Sequence, residues 1–172
     1  MSTEGTFIIL IVANTFLTND YEYSLRIAST DFSFIANSAL FEANILRFRA
    51  LASMKLFEHA LAEEGEFEDN FSLLVQAYKC AWNALEIYET TDRFAELQPN
   101  AYGVALTKFL LGYIRHRYAH HWCDSRVTSV DEYEQLVQGD RKCSLTLAKE
   151  FYKEAYSKFK ETDHLAGMYL SK

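Results

Sequence analysis

Six glycines and one proline are all that this chain carries in 172 residues, and no other feature narrows its fold so far. Successive β-hairpins need Gly, Asn-Gly or Pro punctuation every ten residues or so, and this sequence does not supply it, which excludes an all-β architecture. From Asn19 onward apolar residues instead recur every three or four positions, the period of a helix with one buried face. Near the C-terminus Leu145, Ala148, Tyr152, Ala155 and Phe159 make such a stripe, widened by Phe151 and Tyr156, with Lys149, Lys153, Glu154 and Lys158 opposite. Glu154 and Lys158 stand in the acid-first i,i+4 order that stabilises an exposed helix by about 0.2–0.5 kcal/mol.

Phe71, Leu74, Val75, Tyr78, Trp82 and Leu85 mark a second helix, with Gln76, Lys79, Asn83 and Glu86 turned away. The acidic run 63–69 before it reads as one helix ending at Gly65 and the next starting at Asp69, where carboxylates complement unpaired backbone N–H groups. Residues 32–64 carry two stripes, Phe41, Ile45, Phe48, Ala52 and Leu46, Ala50, Met54, Phe57, Leu61. They form one long helix, or two broken near Asn44 or Ser53. Pro99 suits the first turn of a helix. Ala101 to Ile114, with Lys108 as its only charge, is apolar on most sides, which places it at the centre of a domain. Ser129 and Glu132 have capping-box spacing and predict a short helix from Val130 to about Gln138. The expected architecture is all-α: about seven antiparallel helices in one domain, residues 19–172, against which the apolar segment 1–18 packs as a helix or a buried strand.

A net charge of −7 is unevenly spread. Residues 1–100 hold six Lys and Arg against fifteen Asp and Glu, a net −9; residues 101–172 hold eleven against nine, a net +2. Polyanion binding rests on neutralising phosphates, so nucleic acid is not an expected partner, and any such contact would be local to the second part. Cys80, Cys123 and Cys143 are widely spaced with no Cys-x-x-Cys pair, which fits a reducing compartment. The apolar run from Phe7 lacks the positive flank of a signal peptide and is too short to cross a bilayer. The expectation is a cytoplasmic or nuclear protein with no membrane contact.

Ala148, Tyr152 and Ala155, followed by Phe159, Asp163 and Gly167, have the small-large-small spacing of a second helix in a helical repeat. Ser53, Phe57 and Ala60, and Ala77, Ala81 and Ala84, are looser copies. In this the chain resembles the tetratricopeptide-repeat family, in which an Ala at a helix crossing lets the neighbour approach. The likeness covers about 20 residues well, and the 95 residues from Ser53 to Ala148 are no multiple of a 34-residue period. It implies a degenerate repeat array that binds another protein or peptide; an irregular single-core bundle is the alternative.

One segment concentrates chemistry. Residues 115–124 hold three of the five histidines, with Arg115, Arg117, Trp122, Cys123 and Asp124 among them. On a continuing helix His116 and His120 are i,i+4 neighbours, the spacing by which two imidazoles share a metal ion, with Cys123, Asp124 or a distant Glu as a third ligand. No acid stands between them as in His-Glu-x-x-His, and two arginines repel a cation. The competing readings are a helix C-terminus whose Arg and His complement unpaired carbonyls, and a basic, aromatic surface made of Arg115, Arg117, His120, His121, Trp122 and Arg126 that meets an acidic partner or a phosphate. Glu161 and His164 form a single Glu-x-x-His, of which di-iron bundles use two. No phosphate loop or nucleophile elbow is present. With 26 aromatic residues as possible interface anchors, the chain reads as a binding or scaffold subunit without catalysis or cofactor, alone or in a homo- or hetero-oligomer. The alternative is a helical metal-dependent protein centred on His116 and His120.

Overall fold

The segment that is apolar on nearly every side ends up surrounded, as that pattern requires. The structure is a computed structural model that describes residues 3–30, 38–63, 67–92, 101–121 and 141–162. The described residues form six helices and no strand: α1 (Thr3–Leu17), α2 (Tyr21–Ala28), α3 (Ala39–Ala62), α4 (Phe67–Asp92), α5 (Ala101–His121) and α6 (Arg141–Glu161). The all-α expectation holds. The helix expected at 130–138 and Pro99 lie outside the described residues, and the helix expected to end at Gly65 ends at Ala62, with Glu63 as its C-cap.

Four helices make the main body. α5 lies between α4 and α6 and also touches α3. Direction follows from the contacts. Tyr88, Tyr78 and Phe71 of α4 meet Gly103, Arg115 and Tyr118 of α5, and Phe159 and Tyr152 of α6 meet Tyr102 and Phe109, so α5 is antiparallel to both neighbours. The core holds Phe57, Leu74, Leu111 and Ile114 at no exposure, each stabilising the fold by roughly 1.5–3 kcal/mol relative to an exposed position. α5 approaches its neighbours closely at two glycines. A Cβ on Gly103 would stand 2.7 Å from the Tyr88 ring, and one on Gly112 2.9 Å from the Tyr152 ring and 3.1 Å from the Ala148 carbonyl.

Of the stretch 32–64, residues 39–62 are one helix with no break at Asn44 or Ser53, starting after the extended Ser38; residues 32–37 lie outside the described residues. Asn44 does not break it because its amide is fully used. Its Nδ2 donates to the Leu40 carbonyl at 2.8 Å, and its Oδ1 accepts from the buried Tyr88 hydroxyl at 3.0 Å. α4 begins at Phe67, two residues earlier than the acidic run suggests. On α6 two readings need correction. Leu145 is exposed and Ser144 takes the buried position, so the stripe starts one residue sooner. Glu154 pairs across helices with Lys108 at 2.6 Å rather than with Lys158, which turns to Glu161 at 2.8 Å. Lys108 is mostly covered and also reaches Glu89 at 3.1 Å, so it draws carboxylates from both flanking helices. Burial alone would lower its pKa, but the bonds to Glu154 and Glu89 outweigh that and raise it.

α1 is a helix, and it packs with α2 against the first turns of α3. Val12, Ala28, Phe41 and Ile45 form a small second core, flanked by Ile8, Ile9, Ile27 and Phe48. The turn between α1 and α2 is made by Asn19, whose φ of 63° is left-handed, a region Asn tolerates better than most residues. Asp20 then caps α2 by accepting from the Tyr23 backbone N–H at 3.2 Å.

Candidate functional site

The end of α5 divides its polar residues by the helical period. Leu111, Ile114 and Tyr118 are buried, and Arg115, four after Leu111 and three before Tyr118, falls on the same face. Arg115 is 4% exposed. Its guanidinium donates to the Tyr78 hydroxyl at 3.2 Å and lies 4.9 Å above that ring, so a cation–π contact and a hydrogen bond act together. Burial pushes the Tyr78 phenol up, with Arg115 acting in the opposite sense. Arg115 is therefore a core residue and does not contribute to an exposed basic patch.

Arg117 turns toward α3, 3.6 Å from Glu58 Oε1. Glu58 also accepts from Lys55 at 2.8 Å and from the Tyr113 hydroxyl. Burial would raise the Glu58 carboxyl, but the bonds from Lys55 and Tyr113 and the charges of Lys55 and Arg117 hold it below the usual range. Tyr113 is pushed up to about 12, by burial first and then by Glu58. A carboxylate so committed and a phenol so weakly acidic are poor general bases or nucleophiles at neutral pH. The cluster acts as a polar tether between α3 and α5.

His116 and His120 share the outer face and are exposed. His116 stands edge-on to Tyr152 at 6.5 Å, and His120 edge-on to His121 at 4.9 Å. His121 turns inward to the edge of Phe57, and burial, followed by Arg117 and His120, lowers its pKa. Two imidazoles one turn apart are half a zinc site, which needs three or four protein ligands. Among the described residues no three His, Cys, Asp or Glu side chains converge. Trp122, Cys123, Asp124 and Arg126 lie outside the described residues, as does His164. The structure thus keeps His116, His120 and Arg117 at or near the surface, removes Arg115 from it, and half-buries His121.

A different surface stands out on α1, a segment whose apolar sequence points to core. Phe7, Leu10 and Leu17 are 64%, 60% and 78% exposed, and their offsets of 0, 3 and 10 put them on one side of α1. Val12 on the other side is fully buried. The run Phe7–Val12 is apolar in every direction, so a helix made from it has two faces to cover, and the fold covers one. The signal was present in that run, since a helix at the edge of a domain with no polar face has nothing suited to water. The aromatics, by contrast, are mostly inside: of the described ones, Phe7, Tyr23 and Tyr102 are the large exposed rings. Among the described residues no helix is long and apolar enough to cross a membrane.

Comparison with protein-family models, curated proteins and solved structures finds no match to this chain.

Proposed function

We propose that the chain is a non-catalytic interaction subunit, a helical scaffold whose outer α1 face docks the apolar stripe of a helix belonging to another protein. The exposure of Phe7, Leu10 and Leu17 carries the reading. From Phe7 to Leu17 the stripe runs about 15 Å, close to three helical turns, which suits a helix laid alongside it. Residues 5–17 contain no charge, so the face offers nothing to a charged surface and lacks the Lys and Arg that hold lipid headgroups. Its three side chains expose roughly 350 Å2, in the range of functional patches but under half of the roughly 800 Å2 per partner in a standard interface. Two copies pairing through this face alone would be weakly held, which favours a different protein that also covers flanking residues.

The main body supports a scaffold role. α3–α4 and α5–α6 form two antiparallel pairs side by side, the unit from which helical-repeat arrays are built. Their helices, of 21 to 26 residues, exceed the roughly 15 that a 34-residue unit holds, so the proposed array is a long-unit relative of the tetratricopeptide pattern. Cys80 is a buried free thiol, in keeping with a cytoplasmic or nuclear setting.

The test is paired affinity capture from source cells, wild type against Leu10→Glu, together with binding of an apolar fluorescent dye. The reading expects a stoichiometric companion that the variant loses, and dye binding reduced in the variant while its circular dichroism is unchanged. An identical catch from both proteins, or no dye bound by the wild type, overturns it.

A further inference from the structure

The second feature is the outer face of α6 and is independent of the α1 face. α6 carries five of the chain's nine lysines. Four of them, Lys142, Lys149, Lys153 and Lys160, are spaced by seven, four and seven residues, which aligns them within about 40° of arc over about 27 Å of helix. All four are exposed, and none of their ammonium groups has an ion-pair partner among the described residues. Two acids of α6 go elsewhere: Glu154 to Lys108 and Glu161 to Lys158. The buried Ala148, Ala155 and Phe159 lie on the other side, toward α5.

Helix stability does not explain the row. Lys149 and Lys153 are like charges one turn apart, an arrangement that weakens a helix. Lys142 stands in a first turn that has no acid, against the preference of a helix N-terminus for carboxylates. Beside the row Leu145 is 42% exposed, and a shallow hollow of about 400 Å3 is lined by Lys142, Leu145, Thr146 and Lys149.

The width of the row decides what fits it. Glu150, Glu154 and Glu161 follow one flank, about 100° around the helix. A bilayer is a plane and a duplex is wider than a helix, so either would press its phosphates against these acids as well. A helix of about 10 Å diameter rests on the lysines alone. Single-stranded nucleic acid needs aromatic platforms for its bases, and this face offers only the half-buried Tyr156, since Tyr152 and Phe159 meet Phe109 and Tyr102 of α5.

We propose that the outer face of α6 is a second docking surface, which takes an acidic helix of another protein bearing Asp or Glu at the same spacing of seven, four and seven residues, with an apolar side chain over Leu145. The spacing reads the same in both directions, so carboxylates meet lysines in either orientation. α1 packs on α2 and α3 whereas α6 packs on α5, so the two surfaces take separate helices.

The experiment uses the full chain and labelled 21-residue peptides built on alanine and glutamine, read by fluorescence anisotropy at 50 mM salt. One peptide carries four Glu at the proposed spacing; a second has the same composition with its Glu spread around the helix. The first is expected to bind saturably, at least fivefold more tightly than the second, and to lose about tenfold in affinity at 500 mM salt through screening. Lys149→Glu together with Lys153→Glu, at exposed positions that leave the circular dichroism unchanged, is expected to weaken binding about tenfold. A peptide whose two central Glu are replaced by Lys is expected to bind that variant better than wild type. Phosphatidylcholine vesicles with 30% phosphatidylserine and a 20-base-pair DNA duplex are the competing polyanions. Equal affinity for the first two peptides, no saturable binding of the first, wild-type affinity in the double variant, or tighter binding of vesicle or duplex than of the first peptide overturns the proposal.

Discussion

Gly112→Ala tests how closely α5 and α6 approach. In an exposed helix this change stabilises by about 1 kcal/mol, because alanine has less conformational freedom to lose. Here the new methyl would stand 2.9 and 3.0 Å from Cδ1 and Cε1 of Tyr152 and 3.1 Å from the carbonyl oxygen of Ala148. A ring can turn aside, but the carbonyl belongs to the α6 backbone and moves only if the whole helix shifts by a few tenths of an ångström. Overpacking of this kind costs about 1–3 kcal/mol. Less the propensity gain, with the backbone contact placing the cost at the upper end, the expected net loss is about 1–2 kcal/mol. The melting temperature would fall by roughly 4 °C for a chain of this size. Urea unfolding followed by helical circular dichroism measures it, with an unchanged denaturant slope showing that the native and unfolded states are otherwise the same. A variant about 1 kcal/mol more stable than wild type would refute the reasoning, since α6 would then not rest on Gly112.

Gly103→Ala is expected to cost at least as much, because the Tyr88 ring that its methyl would meet at 2.7 Å is buried and tied to Asn44; the same unfolding assay reads it. Arg115→Ala removes a buried side chain and leaves the covered Tyr78 hydroxyl short of a donor, for an expected loss of about 2–4 kcal/mol by urea unfolding. Tyr113, held near 12 against an ordinary value of 10, releases its proton more readily once unfolded. Its contribution to stability is therefore fully present below pH 10 and is lost as pH rises from 10 to 12. Stability measured across that range is expected to fall less steeply in Tyr113→Phe than in wild type. Glu58 has the opposite sense. Its lowered pKa stabilises the fold above the ordinary carboxylate value and is lost as pH falls through the lowered one, so Glu58→Gln is expected to flatten acid unfolding.

The helices that were legible in the sequence are those with one unbroken apolar face. Phe71 to Leu85 on α4 and Ala148 to Phe159 on α6 lie where their spacing puts them, and the nearly all-apolar start of α5 is central. Partnerships between helices were less legible, because spacing along one helix does not reveal what stands across from it. Glu154 has Lys158 one turn away, yet the more covered Lys108 on α5 takes it. Asn44 looked like a breaker because nothing in the chain announces that Tyr88, 44 residues on, requires its amide. Arg115 is hard to place for a related reason: its charge suggests surface, whereas its spacing from Leu111 and Tyr118 puts it on the buried face. At α1 a run apolar on every side points to core, yet only one side of an edge helix has a neighbour to meet.

Site-specific photo-crosslinking tests the interaction reading most directly. A photoreactive phenylalanine analogue placed at Leu10, and in a separate preparation at the exposed Lys153 of α6, is activated in the source cells. The account predicts one discrete adduct with another protein from position 10 and none of that mass from position 153. No adduct at position 10, or the same products from both positions, would contradict it.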